Sequence, residues 1–368
     1  VIGYIYTGDP LNAFAGYAIR DFTPLERLLT QPRVILFYLS LLFYPVTARM
    51  TMLHDIPPSH SLFDPWTTLP ALLIVVMIIG LAVYLARKRP LLSFCVLFYF
   101  LNHLIESTVL PLEMVYEHRN YLPSMLLFVP PAYFFIYLID YFSYKKTIQF
   151  ALAAGITCLM VLTATATFAR NNVFANDFLL WTDNIQKTPG LSRPHANLGR
   201  IYFNSGERQK AIKEFEKALS LNRFDNRRVA AQLKSNIGIY YFVEGQNDLA
   251  MQYFTESARE LPRYMDNIMF TARIHLRQDR IDKARQIIAG ELKQHPDNAK
   301  LVEMYSFILL KKGEPDEARR YAQKYLSKRP DSPYPLMLMA EISRQAGNNE
   351  AAIFYWERAQ AIEPENRY

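Results

Sequence analysis

Four side chains with binding or catalytic potential stand together just before an apolar run, at Glu117, His118, Arg119 and Tyr121. A guanidinium such as that of Arg119 meets phosphate oxygens through two parallel hydrogen bonds. A carboxylate such as Glu117, or Glu113 before it, orients a substrate hydroxyl or holds a divalent metal. Charged groups at a membrane interface serve as binding sites, but they also serve as anchors or as an ion pair. Both interpretations of this segment stay open at this point.

Two further polar residues interrupt an apolar run, at His103 and Glu106. Three residues apart on a helix, they share one face. Polar pairs in a bilayer face protein or water, so these two either join packed helices or line a cavity. We treat them as secondary candidates. A loop with His54, Asp55, His60 and Asp64 has no ligand spacing of a known metal site, and no metal site is assigned there.

The elements that carry these residues are apolar. Residues 1–170 contain 11 of the 41 Lys and Arg residues and 9 of the 34 Asp and Glu residues. A bilayer is crossed by about 20 apolar residues in a helix, which favours membrane spans over the buried core helices of a soluble protein. The spans of this predicted transmembrane domain are 34–48, 68–86, 91–110, 122–142 and 147–169. The first is short and either spans or re-enters, which leaves the side of residues 1–33 open.

The orientation of these spans follows from cations in the short loops. Arg87–Arg89 and Lys145–Lys146 lie in loops that must share one side, and loop cations favour the cytoplasm. The span 147–169 then runs outward and delivers the rest of the chain to the other side. We expect an integral protein of a bacterial inner membrane with an extracytoplasmic C-terminal part.

The second half of the chain has a fixed period. Prolines stand 34 residues apart, and alanines keep the same step twelve residues earlier, at Pro262, Pro296, Pro330, Pro364, Ala250, Ala284, Ala318 and Ala352. A small residue lets two helices approach, and a proline ends the second one. This is the signature of tetratricopeptide (TPR) repeats, which stack into a helical solenoid. The predicted fold is therefore all-α, a polytopic transmembrane helical domain followed by a TPR α-solenoid.

The solenoid is predicted over residues 171–368. A half repeat with Trp181 and Pro189 comes first, and five full repeats follow, so that the units are 171–191, 192–225, 231–264, 265–298, 299–332 and 333–366. Stacked TPR repeats usually bind a protein or peptide in their groove. Asn197, Arg200 and Asn236 are candidate peptide contacts because an amide offers both a donor and an acceptor. Asn is also ordinary at this position of the repeat, and that interpretation stands beside the first.

The segment from Glu117 to Ser124 resembles a motif, E-x-R-x-Y-L-P-S, of the transmembrane-and-TPR protein O-mannosyltransferases and their bacterial relatives. The order of parts, spans followed by outward repeats, is similar too. The resemblance implies a membrane glycosyltransferase of the C-type fold that takes sugar from a polyprenyl-phosphate donor. It implies that Arg119 and Glu117, with His118 and Tyr121 beside them, contact the donor phosphate. The family's catalytic carboxylate is expected in a loop upstream of Val1, so the chain is expected to be the C-terminal part of a longer protein.

Two functional hypotheses follow. The first is a protein O-glycosyltransferase whose repeats recruit the acceptor protein, with a divalent metal as the one cofactor that the carboxylates suggest. The alternative is a non-catalytic, membrane-anchored TPR scaffold for envelope assembly. A transporter is disfavoured because no inverted repeat of spans is visible. The net charge of +7 follows no long basic run, so nucleic acid is not expected as a partner.

Overall fold

The structure is a computed structural model. It describes residues 17, 20, 22–108, 110–222, 226–328, 330 and 332–362, without the side chains of Ile105, Glu106, Lys328 and Tyr334. Every regular element among these residues is a helix, which confirms the all-α prediction. Pro364 and the last residues of the predicted repeats 192–225 and 333–366 lie outside the described part.

The chain divides into two compact units, Val1–Asn226 and Arg227–Tyr368. The boundary predicted at residue 170 separates the membrane spans from the solenoid, which is a different division from that into compact units. This predicted boundary stays a prediction. Among the described residues, the α-helices of the first unit are α1 Pro24–Phe43, α2 Thr68–Leu85, α3 Pro90–Glu106, α4 Tyr121–Ser124, α5 Val129–Tyr141, α6 Lys146–Phe174, α7 Asp177–Lys187, α8 Ser192–Asn204 and α9 Arg208–Ser220.

Two helices of the first unit are long and apolar enough to cross a membrane, α2 with 18 residues and α6 with 29 residues. A third candidate is the pair Glu117–Ser124 and Val129–Tyr141, whose two parts are bent by 55°. The predicted span 122–142 is therefore broken. Pro130 and Pro131 stand in the first turn of α5, and neither can donate the backbone hydrogen bond that would continue the preceding turn.

The helices at the two remaining predicted spans, 34–48 and 91–110, begin and end at other residues than the predicted spans. α1 covers most of 34–48, but it begins at Pro24, where Thr23 and Glu26 form a capping box. The Thr23 hydroxyl accepts from the Glu26 N–H at 3.2 Å, and the Glu26 carboxylate accepts from the Thr23 N–H at 2.7 Å. α1 ends at Phe43, just before Pro45. α3 ends at Glu106 and is shorter than the predicted run 91–110.

The second unit consists of helix pairs, each joined by a short turn. Its helices are α10 Arg227–Val243, α11 Asn247–Glu260, α12 Met265–Arg277, α13 Ile281–Gln294, α14 Ala299–Lys312, α15 Pro315–Lys328, α16 Pro333–Gln345 and α17 Asn349–Ile362. Within each pair the spaced alanines of the sequence pack between the helices. Ala250, Ala284 and Ala318 are fully buried.

Glycines permit the closest approach within two of the pairs. A β-carbon added to Gly238 would lie 2.6 Å from the Phe254 ring, and one added to Gly199 in the first unit would lie 2.7 Å from the Phe215 ring. Carbon atoms in contact normally lie at least about 3.5 Å apart. The aromatic side chain of the second helix therefore fills the space that the glycine of the first helix leaves.

The turn inside each repeat requires a left-handed residue. φ is +83° at Gly206, +79° at Gly245, +82° at Gly313 and +74° at Gly347. Asp279 occupies the equivalent place in the remaining repeat with φ of +55°. A residue with a β-carbon is strained in this region, whereas glycine is not, and aspartate tolerates the region better than most other residues.

Replacing Asp279 with glycine should relieve this strain and stabilise the protein by about 0.5 kcal/mol. Gly313→Ala is the matched control, because an added β-carbon there meets no atom within 4 Å, so that only the backbone penalty remains. That control should lose about 1 kcal/mol. Thermal unfolding followed by circular dichroism should give a higher midpoint for D279G and a lower one for G313A, and the reverse order would contradict the backbone argument.

Candidate functional site

The motif segment forms a 3₁₀ turn, Glu117–Asn120, which leads directly into α4. The Glu117 carboxylate accepts a hydrogen bond from the backbone N–H of Thr51 at 2.7 Å and lies 2.8 Å from Nε2 of His54. Both partners belong to residues 47–54, which follow α1 and which we call the support loop. Glu117 therefore holds the support loop in place.

Arg119 is held by its own segment. Its Nη1 donates to the backbone oxygen of Glu113 at 2.7 Å, and its guanidinium lies 4.9 Å from the centre of the Tyr116 ring. The ring of His118, whose side chain is exposed, lies 5.1 Å from the same tyrosine ring. Tyr121 is 83% exposed. Of the four predicted site residues, Glu117 and Arg119 thus contact loops, while His118 and Tyr121 face outward.

Two arginines that the sequence analysis did not select organise the preceding loop. Arg27 is fully buried in α1 and donates to the backbone oxygens of Thr108, Leu112 and Glu113 at 3.0, 2.6 and 3.1 Å. Arg20 forms an ion pair with the Glu113 carboxylate at 2.5 Å. One guanidinium thus donates to three backbone oxygens, and Glu113 shares its oxygen between Arg27 and Arg119. An arginine in the first half of an otherwise apolar helix is the signal that could have marked Arg27, although Arg33 on the same helix shares it.

His103 serves packing between helices. It is 2% exposed, its ring stacks on Tyr38 at 5.6 Å, and it meets the edge of Tyr99 at 4.6 Å. Its Nε2 lies 3.3 Å from the Asn120 side-chain oxygen. This ties α3 to the motif turn. The side chain of Glu106 lies outside the described residues, so the predicted pairing with His103 stays a prediction.

The support loop contacts the first solenoid helix, α7. The side-chain amide of Asn184 donates to the Thr51 hydroxyl. The Lys187 ammonium donates to the backbone oxygens of Thr47 at 2.9 Å and Met50 at 2.8 Å. Since Asn184 is fully buried and Lys187 mostly buried, these bonds replace water at the loop.

An apolar cluster surrounds these polar contacts. Leu53 of the support loop packs with Leu180 and Trp181 of α7 and with Leu198 of α8, and all four are buried. Burying side chains of this size contributes about 1.5–3 kcal/mol each. The tryptophan that marked the predicted half repeat therefore binds the support loop to the start of the solenoid.

An ion-pair network connects the long helix α6 with α7. Arg170 near the end of α6 lies 2.7 Å from the Asp183 carboxylate, and Lys187 pairs with the same carboxylate at 2.7 Å. Arg170 is only 7% exposed, and its guanidinium also covers the Phe174 ring at 4.5 Å. Breaking a buried pair by removing one partner is strongly destabilising, so this network holds α7 against the end of α6.

The predicted peptide contacts lie in different units. In the first unit Asn197 donates to the backbone oxygen of Arg193 at 2.9 Å and accepts from Arg200 at 3.1 Å, and all three side chains lie at the surface. Asn236 lies on α10 of the second unit and is half-buried. The predicted asparagine contacts are thus available to solvent in part, and their role in peptide binding stays a prediction.

The second unit carries a pattern that the sequence analysis missed. Three cations lie over phenylalanine rings on successive first helices of its pairs, α10, α12 and α14. The distances from cation to ring centre are 3.6 Å for Arg277 over Phe242, 5.1 Å for Arg273 over Phe270 and 5.9 Å for Lys311 over Phe307. We call these three pairs the cation–phenylalanine ladder.

The charges beside the ladder are mostly positive. Arg273, Arg277 and Lys311 are exposed, as is Lys300 on α14. Glu303 stands among them, and burial raises the pKa of its carboxyl, although Arg273 and Lys300 act in the opposite direction. A raised pKa means that this environment disfavours the charge of Glu303, so the carboxylate offsets the cations less than an exposed one would.

The sequence analysis also suggested that the Glu113 or Glu117 carboxylate holds a divalent metal. Across the residues that the structure describes, no three His, Cys, Asp or Glu side chains are grouped so as to hold a metal ion. The Glu117 carboxylate contacts His54, and the Glu113 carboxylate contacts Arg20.

Comparison with known proteins supports the repeats. Two models of the tetratricopeptide repeat family match the chain, over residues 192–225 and 308–366. A relative described as uncharacterized protein ycf37, from Guillardia theta, is 30% identical over 116 residues. That alignment covers 32% of this chain and 65% of the relative, so the chain spans less than two thirds of its length.

Several solved structures are similar at low identity. PilW, described as a widely conserved type IV pilus biogenesis factor, is 18% identical, with 58% of this chain and 96% of that chain covered and a TM-score of 0.43. PilF of Pseudomonas aeruginosa is 17% identical, with 56% and 91% covered and a TM-score of 0.40.

These comparisons define the class. The chain carries tetratricopeptide repeats, and its solenoid is of the kind that binds peptides or proteins. They give no support to a relationship with the O-mannosyltransferases or with other glycosyltransferases. Glu117 and Arg119 hold loops in the structure, and their contact with a donor phosphate stays a prediction.

Proposed function

We propose that this protein is a membrane-anchored TPR scaffold that binds an acidic segment of a partner protein outside the membrane. The cation–phenylalanine ladder is the observation that carries the proposal. TPR repeats commonly bind peptides, and the ladder supplies the charge and apolar surface that such a partner needs.

The chemistry of the ladder favours a carboxylate-rich partner. A guanidinium stacked on an aromatic ring still presents its N–H edge, and that edge bonds a carboxylate through charge-assisted hydrogen bonds. Phe307 is 44% exposed, so an apolar side chain of the partner has a surface to cover. An extended segment with alternating acidic and apolar residues fits these features.

The anchor is proposed from the apolar helices of the first unit. Their exposed surface includes Leu73, Val76 and Met77 on α2 and Leu159 and Leu162 on α6. Apolar surface of this extent is costly in water and favourable in lipid. With Arg87–Arg89 and Lys145–Lys146 in the cytoplasm, the repeats lie on the extracytoplasmic face of a bacterial inner membrane.

Glycosyl transfer from a polyprenyl-phosphate donor is the first of the two functions that the sequence predicted. It would need Arg119 and Glu117 to turn toward a donor phosphate. Both side chains are held by contacts with loops instead. The scaffold is therefore the function that the geometry supports better.

The proposed topology predicts which cysteines react with a water-soluble maleimide. Cys158 is exposed on the surface of α6, in the middle of a proposed span, so lipid should protect it in intact membranes. In a chain in which both native cysteines are serine, Ser205→Cys should react in intact spheroplasts. Lys88→Cys should react only after permeabilisation.

The native chain supplies the control for this experiment. Detergent should expose Cys158 to the reagent, which shows that the thiol itself is reactive. Labelling of Cys158 without detergent, or labelling of both introduced cysteines from one side, would contradict the proposed membrane arrangement.

The proposed partner is tested by peptide binding to the full chain in lipid nanodiscs. A fluorescein-labelled nonapeptide of alternating Glu and Leu residues should raise fluorescence anisotropy, while the same peptide with Gln for Glu should bind less tightly. Reversing two exposed ladder cations, R273E with K311E, should weaken binding about tenfold, because each surface charge contributes up to about 1 kcal/mol.

The matched control reverses two exposed cations on second helices of the same unit, K283E with R259E, and so changes the net charge equally. This variant should bind the acidic peptide as tightly as the parent. Equal weakening in both double variants would reduce the effect to net charge and would refute the ladder as the binding surface.

A further inference from the structure

A cavity of about 210 Å³ opens between consecutive repeats of the second unit, and none of the ladder residues lines it. Its walls come from α13 and α15, from the start of α14 and from the turn at Pro296. Three tyrosines, two lysines and one aspartate supply its polar and aromatic groups. They are Tyr305, Tyr321, Tyr325, Lys293, Lys324 and Asp297.

The tyrosines form a rigid aromatic wall. Tyr305 and Tyr325 are buried, and the rings of Tyr305 and Tyr321 meet edge to face with their centres 4.9 Å apart. Burial raises the pKa of the Tyr321 hydroxyl, which keeps it a hydrogen-bond donor well above neutral pH. Such a wall suits the flat or apolar body of a small molecule.

The lysines set the sign of the charge. Among the residues that the structure describes, neither the Lys293 nor the Lys324 ammonium has a carboxylate partner. The charged residues in the lining are these two lysines and Asp297, so the lining has a formal charge of +1. A ligand with a single carboxylate matches that sign.

This combination is specific to one junction of the solenoid. One repeat earlier, the positions equivalent to the three tyrosines hold Thr271, Ile287 and Glu291. One repeat later, they hold Met339, Tyr355 and Ala359. Neither repeat has three aromatic residues at these positions. Stacking of repeats alone therefore does not require these tyrosines.

We propose that this cavity binds a small carboxylate with an aromatic or apolar body, held by the two lysines against the tyrosine wall. The carboxylate belongs either to a free organic acid or to the C-terminus of a peptide, since both present the same group. The site does not depend on the ladder or on the anchor, so it stands or falls separately from the proposed function.

The test uses the full chain in nanodiscs and ligand-observed saturation-transfer NMR. Benzoate represents the free acid, and N-acetylphenylalanine represents a chain terminus, each compared with its own neutral amide. At least one acid should bind, and it should do so more tightly than its amide. The double variant K293A with K324A should weaken that binding about fivefold or more, consistent with two exposed charge contacts.

Two further variants separate the site from a general charge effect. Ala289→Leu fills the cavity without changing the charge and should also weaken binding, while Lys283→Ala, an exposed lysine on the same helix outside the cavity, should leave it unchanged. Circular dichroism melting confirms that each variant is folded. Absence of binding by both acids, equal binding of acid and amide, or unchanged binding in K293A with K324A would overturn the proposal.

Discussion

The first unit depends on the contact between the support loop and α7. Lys187 and Asn184 reach from the first solenoid helix to the loop, where the lysine satisfies two backbone oxygens and the asparagine contacts the Thr51 hydroxyl. The Thr47 oxygen also accepts from the Met50 N–H within the loop, so that the lysine adds to a bond that the loop already makes. A buried backbone oxygen without a partner costs about 1–3 kcal/mol, and the contacts with α7 therefore stabilise the loop in this shape. Glu117 holds the same loop through the backbone N–H of Thr51. The motif turn and the first solenoid helix thereby contact one shared segment.

This arrangement gives the motif residues a role without catalysis. Arg27 and Arg119 satisfy loop carbonyls, and Glu113 pairs with Arg20. In the structure these charged groups contact loops of the same unit, and their role in binding a donor stays a prediction.

The sequence predicted the repeats well because their signal is local. The spaced alanines and prolines report helix contacts within a few turns of each other, and Ala250, Ala284 and Ala318 are fully buried. The contacts of the motif could not be predicted in the same way. Glu117 meets Thr51, far away in the chain, and no periodic pattern records such a pair. One pair of the cation–phenylalanine ladder has the same character, since Phe242 and Arg277 belong to different repeats. The other two pairs are three and four residues apart on one helix, and their spacing was visible in the sequence. The break in the span 122–142 came from Pro130 and Pro131, whose effect hydropathy alone does not register.

Hydrogen exchange of backbone amides is the most direct test of the shared segment. In the full chain in nanodiscs, Lys187→Met should speed exchange about tenfold or more in residues 50–54 and in α7 together, because the two elements protect each other. Lys210→Met removes a surface lysine of the same unit, whose ion pair is with the exposed Glu207, and should change neither region. If K187M left the support loop as protected as in the parent chain, the loop would be stable without α7, and the first unit would not depend on their contact.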